Sequence, residues 1–226
     1  MTAIGEAFSL IFSFDSELYG IIGTTLLMSF FSTLISSLIG IPLGVLIGKN
    51  KFPGRNAITL LLNTMMGLPP VAAGLIVFML FRAVGPLGGF HLMFSVRIMV
   101  IAQVILITPA VASLSAAAAG ERALSLSETA FGLGIPRTKQ LFLLLGECSS
   151  QFVGIVLMAF GRSIAEVGAV SLVGGNIQYK TRVMTTAILL ETNKGNFQKA
   201  LALGIILMLI SLAVNIGAQL LKGRKK

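Results

Sequence analysis

The sequence predicts an all-helical membrane protein with five transmembrane helices, and three observations carry that prediction. Only 25 of the 226 residues are formally charged, 17 Lys or Arg plus 8 Asp or Glu. That is 11%, against roughly 25% in an average soluble domain. Hydrophobic residues make up 55% and the mean hydropathy is +0.95, which leaves too little polar surface to cover a soluble fold of this size. Four stretches carry no charge at all: Gly20–Gly48 (29 residues), Asn56–Phe81 (26), Ile98–Gly120 (23) and Ala200–Leu221 (22). Each exceeds the ~20 residues that a helix rising ~1.5 Å per residue needs to cross the hydrocarbon core.

In chain order, the first element is a short interfacial helix over Ala3–Phe14, with Ile4, Ala7, Phe8, Leu10, Ile11 and Phe14 as its apolar positions. It is too short to cross, Glu6 interrupts it, and no Lys or Arg precedes Lys49 as a signal peptide would require. Span one covers 20–48. Its Ser36, Gly40, Gly44 and Gly48 recur every four residues around Pro42, a spacing that lets helix backbones approach closely, first of all within one subunit. Span two covers 56–81 and is interrupted by Gly67-Leu68-Pro69-Pro70, where two consecutive residues lack an amide donor. Backbone irregularity at membrane depth is tolerated where it is buried in protein or lines a wet cavity. Span three covers 98–120 and contains Gln103, Thr108 and Pro109. Span four covers 148–173 and is apolar apart from a few small polar groups and Arg162 and Glu166, placed four apart on one helical face. Span five covers 198–221. The whole chain, 1–226, reads as a single transmembrane domain.

Charge asymmetry orients the five spans. One side receives Lys49, Lys51, Arg55, Arg122, Arg137, Lys139, Lys222, Arg224, Lys225 and Lys226, with Glu121 and Glu128. The other receives Arg82, Arg97, Lys180, Arg182, Lys194 and Lys199, with Glu6, Asp15, Glu17 and Glu191. The richer side is cytoplasmic by the positive-inside rule, so the N-terminus faces out and the C-terminus faces in. The net charge of +9 is topogenic and attracts anionic lipid; it calls for no nucleic acid. The single Cys148 excludes an intrachain disulfide, and no His/Cys spacing suits a metal. No Gly-x-x-x-x-Gly-Lys-Ser/Thr occurs, so the chain has no nucleotide-hydrolysing site, and its one histidine, His91, lies in an outer loop.

The loop 120–140, GERALSLSETAFGLGIPRTKQ, decides the class. Ser127 is placed to cap a short cytoplasmic helix that Gly132, Gly134 and Pro136 then end. Glu128-Thr129-Ala130-x-x-x-Gly134 resembles the "EAA" loop of ABC importer permeases, with Thr129 in place of the first Ala and Gly146-Glu147 where many members show Leu-Pro. Lys51-Phe52-Pro53-Gly54-Arg55, Leu68-Pro69-Pro70 and Gly161–Ala169 (GRSIAEVGA) are similar to the molybdate/tungstate permeases. Val173–Ile177, Thr181–Ile188 and Leu190-Glu191-Thr192 most resemble the tungstate-specific branch. The likeness runs from about Tyr19 to Gln219. It departs at the front, where some molybdate permeases carry a further spanning helix.

That resemblance implies the permease fold in a prokaryotic plasma membrane, a homodimer of this chain, two P-loop ATPase subunits and an extracytoplasmic oxyanion-binding protein. It implies coupling to the ATPase through Glu128, Thr129, Ala130 and Gly134, with ATP and Mg held by the partner and no cofactor or metal bound by this chain. For the oxyanion pathway, the residues themselves offer Asn63, Pro69 and Pro70 at the span-two break, Arg162, Ser163 and Glu166 in span four, and Gly174-Gly175-Asn176 as an outer anion nest or, more simply, a tight turn. Two other classes stay open: a permease for another anion such as sulfate, and a secondary transporter. The second would need a coupling-ion site, for which the spans offer only Glu166 beyond Glu147 at a boundary, and it would not need the docking loop.

Overall fold

The structure is a computed structural model that describes residues 16–223 together with Gly5 and Ser9. The expected interfacial helix at Ala3–Phe14 lies, apart from those two residues, outside the described part, as do Arg224–Lys226. Among the described residues there is no strand. The helices are α1 (Ser16–Lys49), α2 (Arg55–Met66), α3 (Pro70–Phe81), α4 (Val96–Gly132), α5 (Arg137–Glu147), α6 (Ser149–Ile164), α7 (Gly168–Gly174), α8 (Met184–Asn193) and α9 (Phe197–Gly223), with a short 3₁₀ turn at Gly88–Phe90.

Three helices are long and apolar enough to cross a bilayer alone: Ser16–Lys49, Val96–Ala123 within α4, and Phe197–Gly217 within α9. Two further pairs, α2 with α3 and Lys139–Glu147 with α6, pass the same test together, each bent by more than 40° at a short break. Among the described residues this makes three spans, or up to five if each bent pair is one; the second pair bends at Cys148 and so is not the expected span 148–173. Pro42 and Pro109 stand inside α1 and α4 without ending them.

By contacts the chain forms two compact units, and α1, α4 and α6 each contribute to both. The first unit holds Met1–Ser32, Pro69–Gln103 and Phe160–Lys226. Its core joins Leu18 and Ile21 at the start of α1 to Met184 and Ala187 of α8 and Ala202, Leu203 and Ile206 of α9. The Met184 amide donates to Thr25 Oγ1 at 2.9 Å, and Arg182 reaches Glu17 at 2.7 Å, so both ends of this packing are tied by polar bonds.

The second unit holds Thr33–Leu68 and Val104–Ala159. Here the small-residue stripe of α1 lies on α4. A Cβ built on Gly40 would sit 2.8 Å from Val111 Cγ1, and Cβ atoms on Gly44 and Gly48 would run into the carbonyls of Ala112 and Ala116. The spacing read from the sequence thus serves packing inside the chain, with the two backbones too close for any larger side chain.

Candidate functional site: two helix breaks and a glycine turn

The first break is local. α2 ends at Met66, and the Gly67 and Leu68 amides fold back onto Thr64 O and Met65 O, both at 3.1 Å. Pro69 is extended (φ −61°, ψ 127°), and Pro70 opens α3 at a position where a missing N–H leaves no bond unmade. Pro69 O then accepts the Ala73 amide at 3.1 Å. Every step uses neighbours within four residues.

The second break was expected to be continuous helix. The sequence places Arg162 and Glu166 four apart on one helix, but α6 ends at Ile164 and α7 starts at Gly168. Arg162 falls in the last turn of α6, where a cation complements the negative end of the helix dipole. Glu166 stands outside both helices and accepts the Ala169 amide on Oε1 at 3.1 Å, a carboxylate at the N-terminal end of α7. Each charge stands at a helix end, and the two do not share one continuous helix. The carbonyls released by the break find side chains: Gln103 Nε2 donates to Ser163 O at 2.8 Å, and Thr185 Oγ1 donates to Glu166 O at 2.9 Å. Gln103, Ser163 and Ser32 are fully buried and share one hydrogen-bonded cluster.

Within the first unit the helices that follow the two breaks pack together. α3 packs on α7: a Cβ on Gly74 would lie 2.6 Å from Ala169 Cα, and one on Gly168 would lie 2.8 Å from Val71 Cγ2 and 3.6 Å from Glu166 Oε1. Val71 and Gly74, just after Pro69-Pro70, thus meet Gly168 and Ala169 beside Glu166, while Ser163 lies in the cluster with Gln103 and Ser32. Asn63 belongs to the second unit, where the Ser113 hydroxyl bonds its side-chain oxygen. At the far end of α7, Gly174-Gly175-Asn176 forms a closed turn. The Gly175 amide bonds Ser171 O at 3.0 Å, Gly174 O accepts Thr181 Oγ1 at 2.6 Å, and Asn176 Oδ1 accepts Arg182 Nε at 3.3 Å. Gly175 (φ 71°) and Asn176 (φ 49°) both take the left-handed conformation such a turn needs. The Gly175 amide, Gly174 O and Asn176 Oδ1 are thus bonded within the chain.

The loop 120–140 also differs from expectation. Ser127 caps no separate helix, because α4 runs unbroken to Gly132. It stops at Gly134, whose φ of 68° places it in the left-handed region, and the Ile135 amide bonds Ala130 O at 2.9 Å. That bond, from the third residue past Gly132 to a carbonyl five residues back, closes a Schellman turn and requires a residue tolerant of positive φ. Pro136 is extended and leads into α5. Ala130 is 2% exposed within its own chain, so its small side chain serves internal packing. Glu128, Thr129 and Gly134 are exposed, and beside them Leu133 is 71% exposed, an apolar side chain at the turn that sequence reading passed over.

Residues 40–226 match the family described as "Binding-protein-dependent transport system inner membrane component". The chain belongs to this family. It is 36% identical to a "Probable anion ABC transporter permease protein" of Haloferax volcanii, covering 88% of each chain. It is 34% identical to the "Tungstate uptake system permease protein TupB" of Peptoclostridium acidaminophilum over 92% of each chain. To the protein of that name in Campylobacter jejuni it is 36% identical, over 93% of this chain and 88% of that one. Sulfate transport system permease proteins are more distant, that of Escherichia coli at 26%. The permease is a multi-pass membrane component of a transport system. Gln103 and Thr185, which hold its second break, are the residues the sequence alone did not single out for that role. A buried Gln and a Thr on separate helices carry no local signal of what they bond.

Proposed function

We propose that this permease is the transmembrane subunit of an ATP-driven importer for a tetrahedral oxyanion, and that the oxyanion is tungstate. The carrying observation is the 34–36% identity to two tungstate uptake permeases over at least 92% of the chain, against 26% to a sulfate permease. The importer contains two copies of this chain, because a pathway bounded by five spans per subunit is more readily built at a two-fold axis. ATP is hydrolysed by two P-loop subunits docked at the cytoplasmic turn, with Glu128, Thr129, Leu133 and Gly134 on the docking face, and this chain binds no cofactor or metal of its own. An extracytoplasmic binding protein delivers the oxyanion. The N-terminus lies outside and the C-terminus in the cytoplasm of a prokaryotic plasma membrane.

Transport on this reading is conformational: the cytoplasmic turn follows the ATPases, and the bundle alternates between outward- and inward-facing arrangements. The seam between Pro69–Val71 and Glu166–Gly168 lines the pathway. Arg162, in the last turn of α6, supplies positive potential to the passing dianion, and Glu166 keeps the dianion from binding too tightly.

The test is uptake into proteoliposomes holding the permease, its ATPase and its binding protein. ATP-dependent accumulation of tungstate with sulfate excluded is the expected result. Accumulation of sulfate without tungstate overturns the substrate assignment, and uptake without ATP overturns the class.

A further inference from the structure

We infer that Gln103 is a positioning residue of the transport cycle: its side-chain amide holds the break in span four and so fixes where Glu166 and α7 stand. The inference rests on the proposal that this break lines the pathway.

The chemistry starts from the Ser163 carbonyl. Had α6 continued, that oxygen would accept the amide of Val167, four residues on. The chain leaves the helix at Ile164 instead, and Ser163 O keeps only a 3.3 Å contact from the Glu166 amide. Gln103 Nε2 supplies the better donor at 2.8 Å from α4, sixty residues away in sequence. Ser163 and Gln103 are both 0% exposed, so this carbonyl is satisfied by protein or left unsatisfied.

The remainder of the cluster fixes which way the amide points. Gln103 Oε1 lies 2.6 Å from Ser32 Oγ and 2.7 Å from Ser163 Oγ, and the two hydroxyls are 2.8 Å apart. A hydroxyl both donates and accepts, so these two would tolerate either end of the amide. Ser163 O would not: turned over, Gln103 would set its own carbonyl against that one. The backbone carbonyl therefore orients the side chain, and the side chain in return keeps span four from straightening. Thr185 performs the matching task on Glu166 O from α8, so the three residues Ala165–Val167 are held at both ends. With the break fixed, the Glu166 carboxylate is placed to receive the Ala169 amide, and α7 begins at Gly168 against Val71.

The experiment measures oxyanion uptake per ATP hydrolysed by the reconstituted complex, together with the amount of assembled complex. Gln103→Met keeps length and bulk and removes every hydrogen bond. Uptake per ATP is expected to fall about tenfold or more, the rate equivalent of one lost buried hydrogen bond, while hydrolysis continues. Ser32→Ala takes one hydroxyl from the cluster but leaves the bond to Ser163 O, and its ratio is expected within about twofold of the parent. A merely structural role would reduce assembly and lower uptake and hydrolysis in step, leaving the ratio unchanged; that result overturns the inference. So does a Ser32→Ala loss as large as that of Gln103→Met. Where Gln103→Met fails to assemble, Gln103→Asn, polar but one methylene too short for the carbonyl, is read the same way, and a parental ratio overturns the inference. Running the assay with tungstate, molybdate and sulfate separates the two readings. A different substrate sinks the tungstate assignment and leaves the Gln103 ratio readable. Parental ratios for both Glu166→Ala and Gln103→Met remove the break from the pathway, whereas a defect in Glu166→Ala alone sinks only Gln103.

Discussion

The permease interrupts two of its apolar segments, span two at Gly67–Pro69 (break two) and span four at Ala165–Val167 (break four), and it does so by opposite means. At Gly67–Pro69 the interruption is covalent. Two prolines withhold two amides, and the loose ends close on residues no more than four positions away. At Ala165–Val167 no proline is present, and the loose ends are met by Gln103 and Thr185, sixty and nineteen residues distant. The first break is a property of its own ten residues; the second exists only when the first unit has packed. A locally encoded break should survive loss of its neighbours and disappear when its own residues change. A break held by tertiary bonds should do the reverse.

The largest expected effect therefore comes from replacing Pro69 and Pro70 together by Ala. Each proline disfavours a continuous helix by about 3 kcal/mol relative to Ala. Without them α2 can run on into α3, and α3 no longer meets α7 through Gly74 and Ala169. Uptake should drop about a hundredfold, the rate equivalent of one such term, and amide exchange over 67–73 should slow as helix replaces the break. If exchange there stays fast and uptake holds, break two is maintained from outside its own sequence and the contrast fails.

Thr185→Val comes next. Thr185 is 7% exposed, and the change is close to isosteric, so what it removes is the donor to Glu166 O. A buried carbonyl left without its partner costs about 1–3 kcal/mol. Thermal unfolding of the detergent-solubilised complex should show that loss, with Thr185→Ser recovering most of it. A Val variant as stable as the parent would mean that break four closes on itself as break two does.

Break two was legible because proline acts on its own backbone. The Ile164-Ala165-Glu166-Val167 stretch offered no such sign: its residues suit a helix, and Glu166 falls in phase with Arg162. Only the positions of Gln103 and Thr185, which depend on packing, turn Glu166 out of the helix. The coupling loop divides the same way. Gly134 was readable as a turn residue because positive φ is a local demand, and it takes φ 68°. Ser127 read as a helix start, yet a capping side chain cannot end the helix that precedes it, and nothing between Ala116 and Gly132 breaks α4. The Gly40/Gly44/Gly48 stripe was readable as close packing, though its partner, α4, was not.

Gly134→Ala tests the locally encoded class a second time, at smaller scale. A left-handed conformation costs a residue with a Cβ about 1–2 kcal/mol, and nothing within 4 Å would crowd the new methyl group. The loss should therefore be conformational strain alone. Oxyanion-stimulated ATP hydrolysis is expected to fall by roughly fivefold to thirtyfold, while Gly132→Ala, at a helical position, changes it little. Equal effects from the two would show that the turn geometry at Gly134 is not what the loop contributes.

The smallest effect should come from Glu191, which repeats the chemistry of break four with half-exposed lysines among its partners. As α8 ends, Glu191 O accepts the Asn196 amide at 2.9 Å, and the carboxylate accepts Asn196 Nδ2 at 2.9 Å and Lys194 Nζ at 3.1 Å, with Lys199 Nζ at 3.8 Å. The Asn196 bond first, and then the two ammonium groups, hold this carboxyl below its ordinary value of 4.5 against the opposing effect of burial. A depressed carboxylate pKa stabilises the fold above the unfolded value and ceases to do so as pH falls through the lower folded value. The permease should therefore keep this contribution at pH 5 and above and lose it progressively below about 4.5. Both lysines are about half exposed, so each ion pair contributes no more than about 1 kcal/mol. Glu191→Gln retains an acceptor for Asn196 and removes the charge. It should cost less than Thr185→Val at pH 7 and should flatten the part of the acid sag that Glu191 supplies. If it destabilises as much as Thr185→Val, water does not stand in for a lost lysine at this turn, and exposure of the partner is not what separates the strong polar fastenings of this permease from the weak ones.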